Sequence, residues 1–167
     1  MEKKTGNSTL YLTQGAMIAA LYVVLTLIAN ALGLANMAIQ VRFSEALTVL
    51  PYFTPAAVPG LFAGCLLSNL LTGALPQDVI FGSLATLIGA LVTYRLRKYK
   101  WMAPIPPIAA NIIVVPLLLV YVYQIPGTLP YFALTVGIGE VISCGILGMC
   151  LLFALNRYRG ILFPNLK

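Results

Sequence analysis

The sequence predicts an all-α integral membrane protein, a single bundle of six transmembrane helices spanning residues 1–167, and three observations carry that prediction. First, 60% of the 167 residues are hydrophobic and only 8% are charged, with a mean hydropathy of +0.96. A soluble domain carries about a quarter of its residues charged. Second, apolar runs of helical length recur between short loops. A bilayer core of about 30 Å takes roughly 20 apolar residues per crossing, so a chain of this length holds at most about six. Third, nine of the ten Lys and Arg residues fall in three places: Lys3 and Lys4, Arg95 to Lys100, and Arg157 to Lys167. The positive-inside rule puts all three on the cytoplasmic side, and hence both termini. The net charge of +6 is therefore topogenic and implies no nucleic acid.

The first helix is expected over residues 13–34. The opening MEKKTGNSTLYL precedes an apolar run too long for a signal-peptide core, so it should stay attached. Ala16 and Ala20 stand four apart, a spacing that lets another helix backbone come close in lipid, either inside the bundle or from a partner. GLANMAIQ, residues 33–40, breaks the pattern as a loop or cap, and its Asn36 and Gln40 are placed to line a site. The second helix, 44–53, is short or tilted, because ten helical positions rise only about 15 Å. Pro51 and Pro55 bound its lower end.

Arg42 and Glu45 open that segment and share a face at three-residue spacing. They read as a pair that orders the outer rim of the bundle. The third helix, 56–72, carries Gly60 and Gly64 with Ser68 on one stripe, a face for close packing. Asn69 lies one turn past Cys65, near the end where Arg42 lies, as a cap or a ligand contact. The fourth helix, 78–95, opens on Asp78, a carboxylate that the helix dipole favours in a first turn. The fifth, 103–123, contains one strongly polar side chain, Asn111. The sixth, 131–155, buries Glu140 within VGIGEVISCG. An ionised carboxylate there costs a few kcal/mol or more unless it faces the interior with a partner, which marks it as functional or as half of an ion pair with Arg42. Gly137 and Gly139 leave room beside it for a backbone or a flat ligand.

Several chemistries are excluded. There is no histidine, so Ser-His and Cys-His nucleophile pairs are out. The three cysteines, Cys65, Cys144 and Cys150, sit in apolar segments without paired spacing, and no catalytic metal cluster or cofactor is expected. No phosphate-cradling loop is present, so the chain does not hydrolyse ATP itself. A membrane enzyme is improbable on these grounds. What remains is a small-molecule pocket with Arg42, Glu45, Asn69, Asp78, Asn111 and Glu140 as its polar candidates.

The runs AALYVVLT, VRFSEALTVLPYFTPAAVPGLFAGC and FGSLATLIGA, the Asn111 region and the pair Gly139-Glu140 resemble the QueT family. The likeness runs from about Ala16 to Leu155, and Arg42 to Pro51 is its most specific part. That resemblance implies a substrate-binding S-component of an energy-coupling factor (ECF) transporter in the bacterial cell membrane. It implies a 7-deazaguanine ligand: the aminomethyl form, the cyano form or queuine. It further implies a transmembrane coupling subunit and two cytoplasmic ATPase subunits as partners, with Ala16 and Ala20 matching the family's docking alanines. Other readings of the residues remain: an S-component for a different base or vitamin, a proton-coupled transporter using Glu140, or a ligand-free scaffold.

Overall fold

The structure is a computed structural model that describes residues 2–34 and 40–162. Asn36 lies outside the described residues. All regular structure among them is helical. Helix α1 runs Glu2–Ala31, and a 3₁₀ helix follows at Phe43–Tyr52. Then come α2 (Ala57–Leu71), α3 (Pro76–Arg95), α4 (Ile105–Tyr121) and α5 (Leu129–Glu140). Helix α5 continues through a π-helical stretch, Val141–Leu147, into α6 (Gly148–Arg157), and a last turn, α7, covers Arg159–Leu162.

Among the described residues, four stretches are long and apolar enough to cross a membrane: Ser8–Ala31, Pro76–Arg95, Lys100–Tyr121 and Leu129–Arg157. Helix α2, at 15 residues, rises only about 22 Å. The expected second helix is not α-helical. It is a ten-residue 3₁₀ helix, longer than the three or four residues usual for that form. Pro51 inside it supplies no backbone N–H, which disfavours regular α-helical bonding. The segment does not lie at the surface. Ser44, Glu45, Leu47, Thr48, Val49, Leu50 and Pro51 are all buried, and Leu47, Val49, Leu50 and Phe53 form one core cluster with Ile18, Tyr22, Leu61 and Leu152. The bundle is thus wrapped around a 3₁₀ rod.

In lipid, helices associate by van der Waals contact rather than by expulsion of water, so close backbone approach matters most. The glycine stripe of α2 makes such an approach to α1. A Cβ on Gly60 would stand 2.6 Å from the carbonyl oxygen of Gly15, and one on Gly64 would stand 2.7 Å from Tyr22 Cβ. Gly89 faces Pro107 across the α3–α4 seam in the same way. Gly139 has the tightest position: a Cβ there would lie 2.1 Å from the carbonyl oxygen of Gln40. The room expected beside Gly139 is therefore taken by backbone. The same approach lets the Arg42 N–H donate to Ser143 Oγ at 3.1 Å, which fixes the start of the 3₁₀ rod against the α5–α6 rod.

Candidate functional site

A cavity of about 390 Å³ opens at the end of the bundle where α2 ends and α3 begins. Its lining includes Thr26 from α1, Gln40 and Arg42 before the 3₁₀ rod, Asn69 and Thr72 from α2, Asp78 from α3, Val115 from α4, and Tyr123. Two turns shape its mouth. Gly73 takes φ +74° as the chain leaves α2, and Gln124 takes φ 51° between Tyr123 and Ile125, which both line the cavity. A non-glycine residue in that region costs about 1 kcal/mol or more, a strain that concentrates at functional sites. Tyr123 donates to Asp78 Oδ2 at 2.7 Å, tying the start of α3 to the loop after α4. Burial, and then the bond to Asp78, raise the Tyr123 phenol above its ordinary range, so it stays a donor at neutral pH. Asp78 also sits in the first turn of α3, as the dipole argument expects.

Directly beneath lies a second polar layer. Thr26, Arg42, Asn69 and Val115 line the cavity, and one helical turn deeper on each of the same four segments stand Tyr22, Glu45, Cys65 and Asn111. A turn is about 5.4 Å. Asn111 donates to Glu140 Oε1 at 2.9 Å, and the Cys144 thiol donates to Glu140 Oε2 at 3.1 Å. Tyr22 donates to Glu45 Oε1. The other oxygen of Glu45 is buried with no hydrogen-bond partner among the described residues. Thr48 Oγ1 donates to the Glu45 carbonyl at 2.6 Å and stands 3.3 Å from Cys144 Sγ. Thr86 Oγ1 and Asn69 Nδ2 approach Cys65 Sγ at 3.4 and 3.6 Å.

The rim reading of Glu45 is corrected here. Glu45 is 2% exposed and Glu140 6% exposed. A carboxylate three residues beyond Arg42 lies inward because the 3₁₀ rod dives into the core. Arg42 itself does line the cavity, and its guanidinium donates to Gln40 Oε1 at 3.4 Å. The partners of Glu140 are Asn111 and Cys144, not Arg42. One carboxylate oxygen each from Glu45 and Glu140 and the Cys144 sulfur lie within 4.8 Å of one another, a grouping of possible metal ligands that spacing along the chain did not announce. Glu140 ends α5 at the start of the π stretch. Such π bulges are rare and often sit at functional sites.

Of the six polar candidates, the structure puts Arg42, Asn69 and Asp78 around the cavity and Glu45, Asn111 and Glu140 in the layer below. Tyr22, Tyr123 and Cys144 complete the two layers without having been singled out. A tyrosine in an apolar helix reads as packing, and only a buried carboxylate in need of a donor would have pointed to it. Ala16 and Ala20 line neither layer and are exposed on the bundle's outer surface.

Helical rods long enough to span a bilayer, around a polar-lined cavity of small-molecule size, define a multi-pass membrane protein. Residues 12–157 match the QueT transporter family, and the chain belongs to that family. It is similar to the queuosine precursor transporter QueT of Lactococcus lactis subsp. cremoris (strain MG1363), at 35% identity over 91 residues. That alignment covers 52% of this chain and 53% of the relative, so the chain spans about half the length of the curated relative it matches. No solved structure matches the chain.

Proposed function

We propose that this chain is the substrate-binding S-component of an ECF-type importer and captures a queuosine precursor, a 7-deazaguanine, from outside the cell. It acts as one membrane domain with both termini cytoplasmic, and the cavity faces outward. ATP hydrolysis belongs to two partner ATPase subunits, and a transmembrane coupling subunit links them to this chain. Family membership and the printed name of the Lactococcus relative support the substrate class.

The observation that carries the reading is the Asn111–Glu140 pair, buried one layer beneath a cavity whose volume lies within the roughly 300–1,000 Å³ usual for small-molecule sites. A deazaguanine offers adjacent N–H donors on its pyrimidine edge and a carbonyl beside them. Glu140 accepts from the N–H edge, Asn69, Asn111 or Arg42 donates to the carbonyl, and Tyr123 is the aromatic side chain of the cavity that can stack on the ring. Glu45 or Asp78 meets an aminomethyl cation where the ligand has one. Calorimetric titration of the purified chain with 7-aminomethyl-7-deazaguanine tests this. E140Q should weaken binding by about 30-fold or more, as expected for loss of a charge-assisted contact. Binding by E140Q as tight as by the unaltered chain would remove Glu140 from the site.

Ala16 and Ala20 serve the coupling subunit in this reading. Both are exposed, and a shallow apolar groove beside Ala16 is lined by Tyr11, Leu12, Gly15, Pro59, Gly60 and Ala63. Small side chains there admit a partner helix closely. A16L or A20L should abolish cellular uptake while leaving ligand binding by the isolated chain intact. Loss of both together would assign the alanines to internal packing.

A further inference from the structure

We infer that the seam where the α3–α4 turn meets α6 is a binding site for an anionic phospholipid, with Lys100 and Arg97 as phosphate donors and Trp101 and Phe153 covered by its glycerol and acyl carbons. Such a site stands apart from the substrate cavity and holds whichever side of the membrane this end of the bundle faces.

Three features of the seam converge. The first is charge without a counter-charge. Arg95, Arg97, Lys98 and Lys100 stand within six positions and are all exposed, and exposed Arg157 closes α6 one turn beyond Phe153. Of the carboxylates whose side chains are described, Glu45 and Glu140 are buried in the lower polar layer, and Asp78 stands in the first turn of α3, at the end opposite Arg95. From position 78 to position 95 the helix rises about 25 Å, well beyond the screening length of roughly 10 Å in physiological salt. Among the described residues no anion serves this patch, so one from outside the chain has to.

The second is a geometry that membrane orientation does not require. Lys100 Nζ lies over two rings, 5.6 Å from the centre of Trp101 and 5.3 Å from that of Phe153. The two rings meet edge to face with centres 5.3 Å apart. They come from different rods: Trp101 from a 3₁₀ turn, Lys100–Met102, ahead of α4, and Phe153 from α6. The Arg97 guanidinium sits 4.6 Å over the Tyr94 ring. Orientation needs only a count of cations on one side. Stacking fixes where those cations point. It uses the face of the guanidinium and leaves its edge donors, the fork that matches a phosphate, while the ammonium keeps N–H donors of its own.

The third is depth. Three stretches of membrane-spanning length end at this seam: Pro76–Arg95, Lys100–Tyr121 and Leu129–Arg157. Such ends lie at headgroup level, where tryptophan and tyrosine gather. Trp101 is 66% exposed there, and Phe153 is exposed beside it. A free anion, or the acidic face of a soluble protein, would meet the cations and leave the rings bare. A phospholipid covers both, and basic pockets between transmembrane helices bind such headgroups.

Trp101 is the single tryptophan of the chain, so its fluorescence reports on this seam alone. The full chain, reconstituted in phosphatidylcholine bilayers, is titrated with phosphatidylglycerol or phosphatidylcholine carrying bromine on the acyl chains, which quenches an indole in contact with it. One cation near the membrane surface is worth about fivefold in affinity for an anionic lipid. Half-quenching should therefore take about 10-fold less brominated phosphatidylglycerol than brominated phosphatidylcholine, and K100Q or R97Q should each cut that preference to about 2-fold. K98Q, which removes a charge of the patch but not a stacked one, should keep a preference of about 5-fold or more. Equal quenching by the two lipids in the unaltered chain, a comparison that needs no variant to fold, would overturn the inference and leave the cations to topology or to an acidic protein. Equal losses from K98Q and K100Q would overturn it as well, because diffuse surface charge does not distinguish them. Displacement of the brominated lipid by inorganic phosphate as readily as by unbrominated phosphatidylglycerol would assign the seam to a free anion instead.

Discussion

Two tyrosines in this molecule make the same bond in different surroundings. Tyr123 donates to Asp78 at the cavity mouth, where it is partly exposed, and Tyr22 donates to Glu45 in the layer beneath, where both residues are 2% exposed. At the mouth, water can replace either partner. Below, burial keeps bulk water from doing so, and the second oxygen of Glu45 lacks a donor among the described residues. The upper layer is therefore suited to admitting and releasing a ligand, and the lower layer to reading it. The bonds look alike, but their energetic consequences differ because the alternative to each bond differs.

Removing one hydroxyl from each layer tests the contrast. Y22F leaves Glu45 without its donor among the described residues, and should cost about 2 kcal/mol of stability, or more where the carboxylate is ionised. Thermal denaturation in detergent would show it, and saturating 7-aminomethyl-7-deazaguanine should recover part of the loss. Y123F should cost about 1 kcal/mol or less, because Asp78 regains water. It should speed ligand dissociation, measured by stopped flow, more than it lowers the melting temperature. Equal losses from the two variants would erase the distinction between the layers. The Tyr123 bond also has a sign with pH. Its phenol holds its proton more firmly folded than unfolded, so the bond contributes fully below the ordinary phenol range near 10 and weakens as pH rises beyond it.

The upper layer was largely legible in the sequence. Arg42 was the single cation unneeded by the topology, Asp78 opened a helix, and Asn69 lay near the same end; all three line the cavity. Glu140 and Asn111 stood out as polar residues inside apolar helices, and they bond to each other. Depth was not legible. A three-residue spacing tells which face Glu45 shares with Arg42, not whether the segment skims the surface or enters the core, and its 3₁₀ form follows from packing around Pro51. Tyr22 and Cys144 gave no signal because both belong naturally to apolar helices. Among the described residues, four of the six expected helices are rods of spanning length, with the 3₁₀ rod and the short α2 between them. Apolar composition cannot distinguish a segment buried in protein from one facing lipid.

The most direct measurement is a structure of the chain bound to 7-aminomethyl-7-deazaguanine. The account predicts the base beneath the cavity, with its ring edge within hydrogen-bond distance of Glu140 or Asn111. A base held only at the mouth by Asp78 and Tyr123, with the lower layer unchanged, would contradict it.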